Sequence, residues 1–165
     1  MSLTLILMRH AKSSWSTPAQ GDHDRPLNGR GTRNAHALGR WLRHKALTPD
    51  QILCSTARRT RDTLSGLDLS APVDFDRGLY LAEPDQMLDR LRRATGQVVA
   101  MIAHNPGTAE LAEMMVQRAP DHARFDDYPT GATLVVRFDA SLWSEIGRHS
   151  GQPIYFVIPR ELPED

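Results

Sequence analysis

The chain has 165 residues, a length typical of one domain with a substantial core, and we expect residues 1–165 to form a single domain. Its 20 basic and 20 acidic residues balance, so the overall charge indicates neither a nucleic-acid nor a membrane partner. The single cysteine excludes an internal disulfide framework, and no Cys/His spacing resembles a structural zinc site. These features predict a cytoplasmic protein.

Apolar runs that predict β-strands alternate with amphipathic runs that predict helices. In chain order they are strand Leu3–Met8, a helix from Asn28 as N-cap to about Lys45, strand Gln51–Cys54, a helix starting after Ser55, strand Val73–Phe75, helix Pro84–Arg93, strand Val98–Ile102, a helix with Asn105 as N-cap and Pro106 at its first position, and strands Thr133–Phe138 and Ile154–Ile158. This alternation predicts an α/β fold with a largely parallel sheet covered on both faces, and the last two strands are expected to finish it antiparallel.

Cationic or imidazole side chains follow three of the predicted strands. Arg9 and His10 follow the first, Arg59 follows the second by a few residues, and His104 comes directly after the strand at Val98–Ile102. If these strands are parallel neighbours, the four side chains converge on one crevice at the carboxyl edge of the sheet. Such a cluster suits a phosphoryl or carboxylate ligand.

Three arginines stand at the start of the second predicted helix, where the helix dipole disfavours cations unless an anion is bound. Arg59 is the candidate that faces the crevice, whereas Arg58 and Arg61 are expected to be solvated. Alone, the Arg9 and His10 pair is equally compatible with a buried histidine beside a capping arginine.

Two other chemistries fit the sequence poorly. A cysteine-phosphatase loop needs an arginine six positions after its cysteine, and position 60, six after Cys54, is a threonine. His10 and His104 are poor metal ligands because the surrounding arginines would repel a dication. The segment Asp22-His23-Asp24 is interpreted as a polar loop rather than a metal site. Nucleophilic attack by an imidazole remains, with arginines neutralising the phosphoryl oxygens.

Three signatures resemble the histidine phosphatase superfamily, also called phosphoglycerate-mutase-like. They are Arg9-His10-Ala11, Ser55-x-x-x-Arg59-Thr60-x-x-Thr63 and Ala103-His104-Asn105-Pro106-Gly107. The short length and the segments Asp24-Arg25-Pro26-Leu27 and Tyr128-Pro129-Thr130-Gly131-Ala132 are similar to the SixA-type branch, the phosphohistidine phosphatases. The resemblance covers nearly the whole chain and implies a three-layer α/β/α sandwich.

The resemblance also implies roles for individual residues. His10 matches the nucleophile, and Arg9, Arg59 and His104 match the phosphate pocket. Arg25 matches an arginine of the loop over the pocket, in the long segment Lys12–Arg25. The implied activity is that of a phosphatase that needs no metal or cofactor.

Substrate and general acid remain open at this level. Glu83 is the nearest candidate for a general acid, although a carboxylate beside Pro84 is equally expected as a helix start. The favoured substrate is phosphohistidine of a signalling protein, since a protonated imidazole leaves phosphorus readily. A phosphatase of a small phosphorylated metabolite is the alternative. A non-catalytic phosphate-binding module is a further one.

Overall fold

The fold comes from a computed structural model, which describes residues 1–16 and 21–163. Its strands are β1 (Leu3–Arg9), β2 (Gln51–Ser55), β3 (Val73–Asp76), β4 (Val98–Ala103), β5 (Thr133–Phe138) and β6 (Gln152–Val157). Its α-helices are α1 (Gly29–His44), α2 (Arg58–Leu67), α3 (Pro84–Leu91) and α4 (Gly107–Met115). The alternation predicted from the sequence is therefore confirmed.

The six strands form one sheet in the order β3-β2-β4-β1-β5-β6. The first four of these are parallel, with β1 on β4 and β4 on β2. As predicted, the last two strands finish the sheet with antiparallel pairing. Strand β5 pairs antiparallel with β1 on one side and with β6 on the other. The carboxyl ends of β2, β4 and β1 consequently meet at one edge of the sheet.

Helices cover both faces of this sheet and give the three-layer α/β/α sandwich. Leu5 and Leu7 of β1 lie in the hydrophobic cluster that contains the apolar residues of α3 and α4. Ile6 and Met8 of the same strand lie in the cluster that contains those of α1 and α2. The alternating direction of side chains along a strand explains this division. Because both faces of β1 are buried, its apolar run shows no polar alternation.

The start of α4 differs from the prediction. Asn105 was expected to be the N-cap and Pro106 the first helical residue, but the N-cap is Pro106 and the helix begins at Gly107. The Asn105 Oδ1 still accepts from the Ala109 backbone N–H in the first turn, at 3.2 Å, while the amide nitrogen donates to the carbonyl oxygens of Asp127 and Tyr128, at 3.1 and 2.9 Å. This side chain is thus tied to the segment before β5.

The predicted cap of α1 is confirmed, because the Asn28 side chain accepts a hydrogen bond from the Gly31 backbone at 2.8 Å. Within the described residues, no helix combines the length and apolar character that crossing a membrane requires.

Candidate active site

His10 lies directly after β1 at the carboxyl edge of the sheet, and the residue is 6% exposed. Its Nδ1 lies 2.7 Å from the carbonyl oxygen of Ala11. Because a carbonyl oxygen only accepts, Nδ1 carries the proton and Nε2 keeps its lone pair. Burial and, less strongly, nearby arginine charges lower the pKa of His10 to about 3, although the hydrogen bond to Ala11 raises it. The imidazole is therefore neutral at physiological pH.

Arg9 is the last residue of β1 and is held by the segment before β5. Its Nη1 donates to the carbonyl oxygen of Tyr128 at 3.2 Å, the same oxygen that accepts from Asn105. The buried Tyr128 hydroxyl donates to the carbonyl oxygen of Leu7 at 2.6 Å. These contacts fix Arg9 against a rigid support. Burial and then the charge of Arg59 lower the pKa of Arg9.

Of the three arginines at the start of α2, only Arg59 faces the crevice, as the sequence predicted. Arg59 is buried, whereas Arg58 is half exposed and pairs with Asp62 at 3.6 Å. Arg61 is exposed and donates to the carbonyl oxygen of Thr56 at 3.0 Å. The first turn of α2 thus directs one guanidinium at the strand ends and leaves two in solvent.

Asp22 is a site residue that the sequence analysis missed. Its carboxylate accepts from Arg59 at 3.0 Å, from Arg25 at 3.2 Å and from the Tyr80 hydroxyl at 2.5 Å. Partial burial raises the pKa of Asp22, but the hydrogen bond from Tyr80 and the charge of Arg59 outweigh it and lower the value to about 2. Asp22 is therefore an ionised anion on the pocket arginines.

The sequence offered little sign of this role. Asp22 and Arg59 lie 37 positions apart, and no periodic pattern relates them. The proximity of Asp22 to Arg25, three positions away, was the one available signal. The segment interpreted as a polar loop is a short 3-10 helix, Asp22–Asp24.

Arg25 joins the site from the loop after β1. Its Nη1 donates to the Ser13 hydroxyl, and its guanidinium lies 3.6 Å from the centre of the exposed Trp15 ring. Ser13 also pairs with Leu27 in an isolated antiparallel bridge. Lys12, Ser13, Trp15 and Arg25 of the predicted Lys12–Arg25 loop thus line the pocket, while residues 17–20 of that loop lie outside the described residues.

His104 follows β4 and is 2% exposed. Its Nε2 lies 2.8 Å from the hydroxyl oxygen of Ser55, the last residue of β2. Its ring centre lies 5.4 Å from that of His10. Burial first, and then His10 and Arg59, lower the pKa of His104 to about 3. Ser55 therefore positions His104. The sequence analysis placed Ser55 in the second of the three signatures but assigned it no role.

The predicted residues surround one pocket of about 220 Å³. Its lining includes Arg9, His10, Arg25, Arg59 and His104. Among the described residues, five buried side-chain nitrogens lack a hydrogen-bond partner, and four belong to this pocket: Nε of Arg9, Arg25 and Arg59, and Nδ1 of His104. Buried polar groups are normally paired, so this concentration of nitrogens fits a site for an oxyanion.

Other candidates lie elsewhere. Glu83 is exposed at the start of α3, where its backbone N–H donates to Gln86 at 2.9 Å, and it is not among the residues lining the pocket. Cys54 is buried in β2, and burial raises the pKa of its thiol to about 12, so it is not a thiolate nucleophile. The described residues contain no group of three or more His, Cys, Asp or Glu side chains placed to hold a metal ion.

Comparison with known proteins gives matches over nearly the whole chain. Residues 5–83 match the family model of the histidine phosphatase superfamily, branch 1. An uncharacterized protein of Mycobacterium tuberculosis is 33% identical over 160 residues, which cover 93% of this chain and 100% of that protein.

Solved structures show the same fold. A protein assigned as the phosphohistidine phosphatase SixA of Nakamurella multipartitia is 29% identical, with a TM-score of 0.85 over 96% of this chain and 97% of its own. A protein histidine phosphatase SixA complexed with tungstate is 19% identical, with a TM-score of 0.78 over 96% of this chain and 98% of its own. At 19% identity, the similarity to the tungstate complex concerns the fold alone.

Proposed function

Because the chain belongs to the histidine phosphatase superfamily, we propose that it is a phosphatase whose His10 carries the phosphoryl group as a covalent phosphohistidine. The observation that carries the proposal is the hydrogen bond from His10 Nδ1 to the Ala11 carbonyl oxygen. It leaves the Nε2 lone pair of a neutral imidazole as the nucleophile, in a pocket lined by arginines.

The reaction proceeds in two displacements. In the first, the Nε2 lone pair of His10 forms a bond to phosphorus, and the bond from phosphorus to the leaving group breaks with its electron pair on the leaving atom. In the second, water attacks phosphorus, the phosphorus–nitrogen bond returns its electron pair to His10, and inorganic phosphate leaves. Arg9, Arg59 and Arg25 neutralise the non-bridging oxygens in both steps.

His104 completes the oxyanion site in this proposal. Its Nε2 is engaged by the Ser55 hydroxyl, which leaves the buried Nδ1 as the ring nitrogen available to a phosphoryl oxygen. A Ser55 hydroxyl that donates to Nε2 fixes the proton on Nδ1, so that Nδ1 donates to the oxyanion. The arginines and His104 supply the electrostatic stabilisation, and the proposed reaction uses no metal or cofactor.

Phosphohistidine of a cytoplasmic signalling protein is the substrate we favour. No carboxylate is among the described residues that line the pocket, and Asp22 beside it is ionised. An alkoxide leaving group needs a proton donor, and general acid catalysis contributes about 10²–10⁴-fold in rate. The imidazole of phosphohistidine leaves with a proton already on its other ring nitrogen and needs no proton donor. A pocket without a general acid therefore suits phosphohistidine better than an alkyl phosphate. The 29% identical SixA protein is assigned the same substrate class.

The proposal is tested by turnover of the wild type and of His10→Ala on a phosphohistidine protein and a set of phosphorylated metabolites. We expect the phosphohistidine protein to be the better substrate, EDTA to leave the rate unchanged, and His10→Ala to be inactive with an unchanged thermal midpoint. Preferred turnover of a metabolite would overturn the substrate assignment. Residual activity in folded His10→Ala would overturn the assignment of His10 as the nucleophile. A wild-type protein that turns over none of these substrates would indicate a non-catalytic phosphate-binding module.

A further inference from the structure

A second pocket of about 370 Å³ adjoins the catalytic pocket, and we call it the lateral pocket. Arg9, Lys12 and Thr130 line both pockets. A molecule whose phosphoryl group meets His10 can therefore extend past these residues into the lateral pocket without leaving the protein surface.

The lateral pocket carries a strong local excess of positive charge. Arg30, Arg124 and Arg160 line it in addition to Arg9 and Lys12. Among the described residues of its lining, the one carboxylate is Asp127, and Arg124 occupies it through both Nε, at 3.0 Å, and Nη2, at 2.8 Å. The whole chain has no net formal charge, so this excess is a property of the pocket rather than of the molecule.

Two features of α1 in this pocket favour a bound anion. Arg30 lies in the first turn of the helix, which contains no acidic residue, although the dipole there disfavours a cation. Asn34, one turn later, is 9% exposed and lines the pocket, and its side-chain amide makes no hydrogen bond to another described residue. An anion in the lateral pocket would neutralise the charge of Arg30 and give the Asn34 amide a hydrogen-bond partner.

We propose that the lateral pocket binds a second anionic group of the substrate, a phosphoryl or carboxylate group, while the first phosphoryl group reacts at His10. This inference rests on the proposed function and narrows its substrate class to phosphoryl compounds with a second anion nearby. The second group belongs either to the same small molecule or to an Asp or Glu side chain beside a phosphohistidine. Both sources offer the same chemistry to Arg30 and Arg160.

The first test is a binding measurement that needs no turnover. Calorimetry compares alkylphosphonates with alkane bisphosphonates of one to five linking carbons. We expect the best bisphosphonate to bind the wild type at least tenfold more tightly than its monophosphonate. Arg30→Gln and Arg160→Gln should each reduce this ratio at least threefold. Arg33→Gln removes an exposed arginine of α1 outside the lateral pocket and should leave the ratio unchanged.

A ratio of two or less across the series would overturn the inference, because two equivalent ends alone give a factor of two. An equal loss of the ratio in Arg33→Gln would also overturn it, since the effect would then be general electrostatics. Neither result bears on the nucleophile, which turnover of His10→Ala tests separately. The inference and the proposed function therefore fail on different measurements.

A second arm identifies the source of the anion. Phosphohistidine peptides with Glu or Gln beside the phosphohistidine are compared as substrates of the wild type and Arg160→Gln. A Glu preference of at least threefold that is lost in Arg160→Gln assigns the anion to a protein. Equal rates on the Glu and Gln peptides, together with a preference for phosphoesters that bear a second phosphate, assign the second anion to a metabolite. Equal rates in both comparisons would contradict the inference.

Discussion

At the residue scale, the catalytic pocket concentrates cations that the fold neutralises only in part. Arg9, Arg25 and Arg59 each have a buried Nε without a partner among the described residues, and Asp22 is the carboxylate that pairs with two of them. Buried like charges cost stability, and an oxyanion removes that cost. The site is thus built for binding an anion rather than for stability.

Asp22 competes with the substrate for these arginines, so we expect Asp22→Asn to bind inorganic phosphate about three- to tenfold more tightly than the wild type. The Asp22 backbone oxygen also accepts from Arg59, at 2.7 Å, and this contact keeps the guanidinium oriented after the substitution. Calorimetric titration with phosphate measures the change.

Asp24→Asn is the matched control for this prediction, because Asp24 is exposed and its carboxylate lies 3.7 Å from the His23 ring rather than against the pocket arginines. It removes the same charge two residues away and should change phosphate affinity by less than twofold. Weaker binding in Asp22→Asn than in this control would mean that Asp22 organises the arginines rather than competing for them.

Glu83 was the sequence-based candidate for a general acid, and its exposed position at the start of α3 leads us to expect a small effect. Glu83→Gln should retain at least half of the wild-type kcat/KM for phosphohistidine, because imidazole leaves already protonated. The same assay with an alkyl phosphate reports on acid catalysis. A loss of tenfold or more on both substrates would show that Glu83 serves the site after all.

At the element scale, most of the architecture could be predicted because periodicity marks it. The strands and helices fall where apolar runs predict them, and Asn28 caps α1 as its residue type suggests. The start of α4 could not be predicted from the same rule, since Asn105 has tertiary partners in Asp127 and Tyr128 that local sequence does not reveal. The Asn105 Oδ1 also accepts from the Ala109 backbone N–H at 3.2 Å, so one side chain serves both the helix start and the distant segment.

The packing of α1 against the loop after β1 gives a prediction for this element. A Cβ atom at Gly31 would overlap the backbone carbonyl oxygen of Lys12. We expect Gly31→Ala to destabilise the protein by about 1–3 kcal/mol, the usual cost of overpacking, and to lower activity by shifting the loop beside His10. Chemical denaturation and kcat/KM measure the two effects.

Gly29→Ala provides the comparison on the same helix. A Cβ atom there meets only the Arg33 Nη1 atom at 3.4 Å, an ordinary contact at the end of a flexible side chain. Alanine also favours the helix over glycine, so stability should be unchanged or slightly higher. Equal destabilisation by the two substitutions would show that the helix backbone, and not contact with the loop, requires glycine.

At the scale of the whole molecule, the strand order creates the site. Arg9, Arg59 and His104 come from distant parts of the chain and meet because β2, β4 and β1 are parallel neighbours. The alternation of strands and helices made this convergence predictable. The positions of Asp22 and of the lateral pocket were not predictable, because loops and helix starts far apart in sequence supply them without any periodic signal.

The neutral buried histidines predict how stability depends on pH. The pKa of His10 is about 3 in the folded protein and about 6.5 when unfolded. Between these values the unfolded chain binds more protons, so stability falls as pH falls below about 6.5. For His10 alone the loss between pH 7 and pH 5 is about 2 kcal/mol.

Denaturant unfolding at a series of pH values, with wild type and His10→Gln side by side, checks this sign and size. The wild type should lose about 2 kcal/mol more than His10→Gln between pH 7 and pH 5. The two curves should run parallel between pH 8 and pH 9, where His10 does not titrate in either state. Parallel curves over the whole range would show that the folded protein accepts a proton on His10.

The central claim is that His10 carries the phosphoryl group, and trapping the phosphoenzyme tests it most directly. The protein is mixed with excess phosphohistidine substrate, quenched rapidly in base, where phosphohistidine is stable, and analysed by peptide mass spectrometry. We predict a phosphoryl group on the peptide that contains His10, formed and lost at rates that account for turnover and absent in His10→Ala. Full turnover without a phosphoenzyme, or a phosphoryl group on His104 instead, would contradict the account.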